Sequence, residues 1–288
     1  MMKEIKGLIS DEERALYHLE DTIVRECSFY GPKDGESCLK ECRGIIIDHC
    51  DFQLRYPIWH AKKFQLKESH LHGDCRASLW YCDNGEISNN TIDGVKALRE
   101  CKNIKLTQNH IISPEFGWKC SNIEMEDNTL DSVYAFFDSS NLKFKNLDFV
   151  GKYSFQYTKN IEIENCVLDT KDAFWHSKNV TVKNSVIKGE YLAWYSENLT
   201  LINCKIIGTQ PLCYCKNLVL IDCTMDQCDL SFEYSDVDAK VIGHIDSVKN
   251  PRSGKIIADS ISEIILENSV YEGKAKIVDK SKKASLLS

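Results

Sequence analysis

Asn160-Ile161-Glu162-Ile163-Glu164-Asn165-Cys166-Val167-Leu168 is answered, nineteen places further on, by Asn179-Val180-Thr181-Val182-Lys183-Asn184-Ser185-Val186-Ile187. The same phrase is anchored at Asn84, Asn103, Asn122, Asn141, Asn198 and Asn217, so that eight asparagines keep this one spacing without a slip. Apolar residues lie one, three and eight places after each anchor, and a small or polar residue usually lies six places after it. The alternation at the first two sites is the period of a strand. A helical repeat would show a 3.6-residue period, and a leucine-rich repeat a denser leucine signature. Three short strands and three bends within one such repeat make one coil of a parallel solenoid. The fold expected is therefore all-β: a single-stranded, right-handed parallel β-helix with about 19 residues per coil, the hand resting on the asparagine-rich bends and the lack of a hexapeptide pattern.

The register runs outward from this core. Gly44 heads Ile45-Ile46-Ile47-Asp48, Lys63 heads Phe64-Gln65-Leu66, and Ala15-Leu16-Tyr17-His18 parallels Ala173-Phe174-Trp175-His176. These matches predict one domain over 1–288, with an N-terminal cap at 1–14, regular coils over 15–237, and irregular final coils, cap and tail over 238–288. In the last part Asp246–Gly254 reads as a turn-rich loop, Lys255-Ile256-Ile257-Ala258 as a strand, and Ser262–Ser269 as one more rung, with fraying from Lys280.

Of 288 residues, 43 % are apolar, enough for a sizeable core. A net charge of -7 argues against nucleic acid as a partner, since phosphate wants a basic face. No stretch approaches a membrane span and the first residues lack an apolar signal region, so a cytoplasmic protein is expected. In that compartment the fourteen cysteines should be thiols.

Stacked coils turn sequence positions into columns. Ten cysteines fall in two columns of otherwise small residues, which marks them as interior hydrophobes rather than metal ligands. His70-Leu71-His72-Gly73-Asp74-Cys75 has two histidines on one strand face, but the anchor spacing lengthens there by two places, which reads as a polar loop insertion. No metal site and no cofactor is expected. Lys105, Glu124, Lys143 and Glu162 form an outward wall of alternating charge that satisfies itself.

The strand before each anchor is different. Five places before the anchor every residue is apolar or Gly, as in Gly117, Phe136, Phe155, Phe174, Ala193 and Leu212, so this column faces the core. One place later stand all five tryptophans, Trp59, Trp80, Trp118, Trp175 and Trp194, interrupted by Lys40, Arg99, Gln156 and Glu233. Unpaired charge is costly to bury, so strand alternation puts this column outside, against an interior stack as the competing arrangement. Tyr157, His176 and Tyr195 come next. A ligand surface is thus expected from Arg99, Trp118, Tyr157, Asp172, Trp175, His176, Glu190, Trp194, Tyr195 and Glu233.

The phrases Lys171-Asp172-Ala173-Phe174-Trp175, Gly189-Glu190-Tyr191-Leu192-Ala193-Trp194, Pro211-Leu212-Cys213-Tyr214 and Ser247-Val248-Lys249-Asn250-Pro251 resemble a family of bacterial parallel β-helix proteins catalogued as a domain of unknown function. The resemblance implies a single β-helix over almost the whole chain and brings no reaction, cofactor or catalytic residue with it. The architecture is also similar to that of pectate lyases and polygalacturonases, but their acidic clusters have no counterpart here. Asp172 and His176 are too far apart along a strand to hydrogen-bond. Glu190, one coil on from Asp172, could pair with it as two carboxylates spaced for glycoside hydrolysis.

Three classes of function follow. Exposed tryptophan and tyrosine fit carbohydrate binding along the aromatic wall. Convergent carboxylates would make a carbohydrate-active enzyme, a glycoside hydrolase or lyase. A wall covered by a second copy of the chain would make a self-assembling scaffold, a homo-oligomer.

Overall fold

The computed structural model describes residues 2–31 and 35–284. They form a parallel β-solenoid of about 14 turns at about 19 residues per turn, with the short terminal segment Lys280–Ala284 as a helix. By compactness the chain divides into two units, Met1–Val150 and Gly151–Ser288. Among the described residues no helix is long and apolar enough to cross a membrane.

In the first unit, the strands Lys62–Lys67, Asp83–Ser88, Lys102–Thr107, Ser121–Glu126 and Ser140–Lys145 stack in parallel, residue on equivalent residue. Alternation sends Ile104, Leu106, Ile123, Met125, Leu142 and Phe144 into the core. In the second unit Lys159–Glu164, Lys178–Lys183, Glu197–Ile202 and Lys216–Asp226 repeat the arrangement.

The anchors explain why the chain bends where it does. Asn84, Asn103, Asn122 and Asn141 all have φ between 55° and 57°, the left-handed region that asparagine tolerates better than most residues. Their side chains bond from turn to turn: Asn122 Nδ2 donates to Asn103 Oδ1 at 2.8 Å, and Asn141 Nδ2 to Asn122 Oδ1 at 2.9 Å. The second unit has its own run, Asn217 to Asn198 to Asn179 to Asn160, at 2.8–3.0 Å. A separate amide ladder lies inside the first unit. Asn90, Asn109 and Asn128 are buried, and each of the first two donates from Nδ2 to the next one's Oδ1 at 2.9 Å.

All fourteen cysteines are buried and carry no disulfide. Their thiols donate to main-chain carbonyls, Cys82 to Ile58 at 3.2 Å and Cys101 to Leu79 at 3.3 Å. Burial pushes the Cys82 and Cys120 thiols well above the usual range.

Several expectations need correction. Stacking starts before Ala15: Lys3–Lys6 pairs in parallel with Thr22–Arg25, so 1–14 supplies a rung rather than only a cap. Asp246–Gly254 is mostly strand; His244–Lys249 pairs with Ser260–Ile265, and only 250–252 connects it to Ser253–Ala258. His70–Leu71 is a regular strand, and the extra residues of that turn follow it. The tail at 285–288 lies outside the described residues.

The largest correction concerns the third side of the second unit, which is not a strand. Asp172, Phe174 and His176 have φ of 55°, 60° and 56°, and Tyr191, Ala193 and Tyr195 repeat this one turn on. These left-handed residues donate alternately forward and back: Asp172 N–H to Glu190 O, Phe174 N–H to Ser154 O, His176 N–H to Trp194 O. Inside and outside therefore do not alternate by two. Asp172, Ala173 and Phe174 are buried in succession, Trp175 is half-buried and His176 is exposed.

Candidate functional site

Because the third side turns rather than runs straight, the tryptophan column and the column after it both reach the surface. In the second unit this produces a ring ladder. His176 lies between Tyr157 and Tyr195, with centroids 4.9 and 5.0 Å away and planes within 11° and 7°. Tyr214 continues at 4.7 Å and 12° from Tyr195, and Tyr234 follows at 5.8 Å with a 44° tilt. Tyr157 and Tyr195 are 47 % and 46 % exposed. Each ring covers its neighbour's face, so the ladder presents rims, with hydroxyl oxygens and imidazole nitrogen, to solvent.

Trp175 and Trp194 stack beside it, 5.5 Å apart and within 4° of parallel. Their indole N–H groups are not ligand donors, because they bond to the next turn's backbone: Trp175 Nε1 to Tyr191 O at 2.7 Å and Trp194 Nε1 to Gln210 O at 2.8 Å. The interior-stack alternative does not hold; Phe155 and Phe174 fill the core instead, stacked at 4.9 Å.

The Asp172 and Glu190 carboxylates interact. Asp172 is buried, and burial raises its pKa against the pull of Lys171 and Lys152, with the Glu190 charge adding to the rise. Glu190 is held by Lys171 Nζ at 2.5 Å. Glu233 is likewise engaged, by Lys249 Nζ at 2.9 Å. Beside it Tyr214 is pushed up to about 12, by burial first and then by the Glu233 charge, so its hydroxyl stays protonated.

Arg99 and Trp118 belong to the first unit. The Arg99 guanidinium lies 5.3 Å from the Trp118 ring and within reach of Glu100 and Glu115, at 3.7 and 4.0 Å. Trp118 Nε1 donates to Tyr134 O at 2.6 Å. This unit has a second aromatic patch, with Trp59 and Trp80 stacked at 5.7 Å and Lys40 Nζ 4.4 Å from the Trp59 ring. A shallow open groove crosses the charged wall over Gly85, Ile104, Lys105, Glu124 and Lys143. Its charges face opposite charges in register, Lys105 to Glu124 to Lys143.

The model of a family described as "Protein of unknown function (DUF3737)" matches residues 3–278. The chain belongs to this family. No curated protein matches it. Among solved structures, the DUF3737 chain is similar to PfbA, a surface adhesin of Streptococcus pneumoniae, at 10 % identity over 81 % of this chain and 77 % of that one, with a TM-score of 0.43. It is similar to QnrB1, a plasmid-mediated fluoroquinolone resistance protein, at 13 % identity over 77 % and 95 %, TM-score 0.31. The A-module of the Azotobacter vinelandii mannuronan C-5 epimerase AlgE6 follows at 7 % identity over 96 % and 87 %, TM-score 0.30. At such values the likenesses carry no argument about function, which rests on this DUF3737 chain's own residues.

Of the expected ligand residues, Tyr157, Trp175, His176, Trp194 and Tyr195 come together on one surface of the second unit. Asp172 is buried, Glu233 is paired with Lys249, and Glu190 lies in an exposed ion pair with Lys171. Tyr214 and Tyr234 were not among the expected site residues, although Tyr214 occupies the same column as Tyr195 and signals itself by position.

Proposed function

We propose that the ladder Tyr157–His176–Tyr195–Tyr214 binds an extended polyhydroxylated polymer, a carbohydrate, laid along the direction in which the turns repeat. The observation that carries this reading is the row of near-parallel rings 4.7–5.0 Å apart with their rims in solvent. That spacing is close to the length of one sugar residue, so a regular row of rims meets a regular polymer in register. Because the faces are mutually covered, contact comes from rim hydroxyls and imidazole nitrogen, with the Trp175–Trp194 pair as an apolar flank. An uncharged ligand suits a chain of net charge -7 better than a polyanion does. Fourteen buried thiols suit the reducing cytoplasm.

Affinity electrophoresis and a glycan array test this. Tyr195→Phe and Tyr214→Phe keep the rings and remove the hydroxyls, and each should weaken binding by about 2- to 10-fold, the worth of one neutral hydrogen bond. Unchanged binding in both would mean that the rims are not the contact. If the parent binds no glycan in a broad panel, the carbohydrate reading fails; concentration-dependent self-association lost on replacing His176 would then put the scaffold in its place.

A further inference from the structure

A different cluster lies in the first unit, on the outer face of the second strand of each turn. Asp51–Gln53, His70–Leu71 and Thr91–Asp93 pair in parallel, with Asp51 opposite His70 and His70 opposite Thr91. Phe52, Leu71 and Ile92 are wholly buried beneath, so strand alternation sends Asp51, His70, Thr91 and Asp93 outward. His72, just past the strand end, stays on the same side. Its ring lies 3.5 Å from that of His70, and its Nε2 is 2.6 Å from Asp51 Oδ2. His70 Nε2 faces Asp93 Oδ2 at 3.3 Å.

From this geometry we infer that Asp51, His70 and His72 bind a divalent first-row transition ion, zinc foremost, with Asp93 as a fourth ligand or as the acceptor that orients His70. One ligand atom from each of the first three lies within 4.8 Å of the others. Tetrahedral bonds of about 2.0–2.1 Å would place ligand atoms about 3.3 Å apart, so closure needs side-chain shifts of an ångström or so. Two imidazoles with one or two carboxylates suit zinc and its neighbours rather than calcium or magnesium, which prefer all-oxygen sets. Charge points the same way. Among the described residues no lysine or arginine lies within ion-pair distance of Asp51 or Asp93, so with neutral histidines the site carries two negative charges that a dication would balance. The four side chains are 30–39 % exposed, which leaves an entry path and an open position for water. The motif itself, two histidines flanking one leucine, is plain in the sequence. That Asp51 and Asp93, each one turn away from the pair, flank it in space is visible only once the turns are stacked.

The test uses the full chain, stripped with a chelator and titrated with zinc alone by calorimetry, and with cobalt by visible spectroscopy. One equivalent should bind, with a cobalt d–d spectrum free of thiolate charge transfer. His72→Ala and Asp51→Asn should each weaken zinc by about 100-fold or more, and His110→Gln, an outward histidine further along the same column, should leave it unchanged. Circular dichroism of each variant separates loss of the site from loss of the fold, and His70→Gln serves as a second variant if one misfolds. Absence of binding in the parent, equal binding in the variants, or a thiolate signature would each overturn the assignment.

Discussion

Replacing Asn109 by Ala tests whether the buried amide ladder, rather than the exposed one that marks the repeat, holds the first unit together. The Asn109 side chain is fully enclosed and bonded on both sides. Its Nδ2 donates to Ile87 O at 3.0 Å, Thr107 O at 3.1 Å and Asn128 Oδ1 at 2.9 Å. Its Oδ1 accepts from the backbone N–H of Asn90 at 3.0 Å and from Asn90 Nδ2 at 2.9 Å. Alanine leaves the Asn90 N–H with no acceptor, at about 1–3 kcal/mol, and loses two carbonyl contacts worth about 1 kcal/mol each. The sum is about 3–5 kcal/mol. Asn122→Gly is the matched control on the exposed ladder. Glycine adopts the φ of 57° freely, and water replaces the lost amide contacts, so its cost should be about 1 kcal/mol. With a urea slope of about 2–3 kcal/mol/M, the far-ultraviolet circular dichroism midpoint should fall by roughly 1–2 M for Asn109→Ala and by under half of that for Asn122→Gly. Equal shifts would refute the reasoning, since Asn109 is buried and bonds two main-chain carbonyls and the Asn90 N–H, whereas Asn122 is exposed and bonds only its fellow asparagines.

Two further outcomes follow from titrating groups. Asp236 bonds the Arg252 guanidinium through both its oxygens, Nε at 2.8 Å, and this holds its carboxyl below the ordinary range in spite of partial burial. A depressed carboxyl stabilises the fold at neutral pH and loses that contribution as pH falls from the ordinary carboxylate value through the folded one; Asp236→Asn should therefore lower stability at pH 7 and flatten the acid-unfolding profile below about pH 4. Burial pushes the Cys42 thiol up to about 11 and the Cys213 thiol up to about 12, while the hydrogen bond from Cys223 lowers the Cys204 thiol to about 7. Since all fourteen are buried, a bulky maleimide at pH 7–8 should label the native chain slowly and every thiol quickly in urea, and fast labelling of the native form would contradict their placement.

How much the sequence disclosed depended on whether a residue type betrays its backbone. Asparagine does. It tolerates left-handed φ and bonds its own kind, so the anchors announced the bends, the turn length and the stack. Tyr157, Phe174, His176 and Tyr195 adopt the same φ but belong to types that rarely do, and their pattern looked like an alternating strand. That is why the aromatic wall was found while its geometry, faces covered and rims exposed, was not. Lys3–Lys6 was missed as a rung because nothing asparagine-like precedes it. The ion pairs of Glu190 with Lys171 and of Glu233 with Lys249 were invisible because each joins residues from different turns.

Since each residue of a rung sits on its counterpart in the next, length in these units is quantised. Slack lies in the bends and connections and in one register shift, where Leu220 meets Ala239 but Cys223 meets Val241. Ile58 meets Leu79 and Val237 meets Gly254, two places more and two places fewer than the step that carries Gly85 onto Ile104. One residue added within a strand would turn its core-facing side chains to water, whereas removing a whole turn, from one anchor to the next, brings equivalent surfaces together again. Such a gene can lengthen or shorten by copying or losing single turns, and only the turns that carry Tyr157, His176, Tyr195 or Tyr214 would add or remove a rim of the ring ladder.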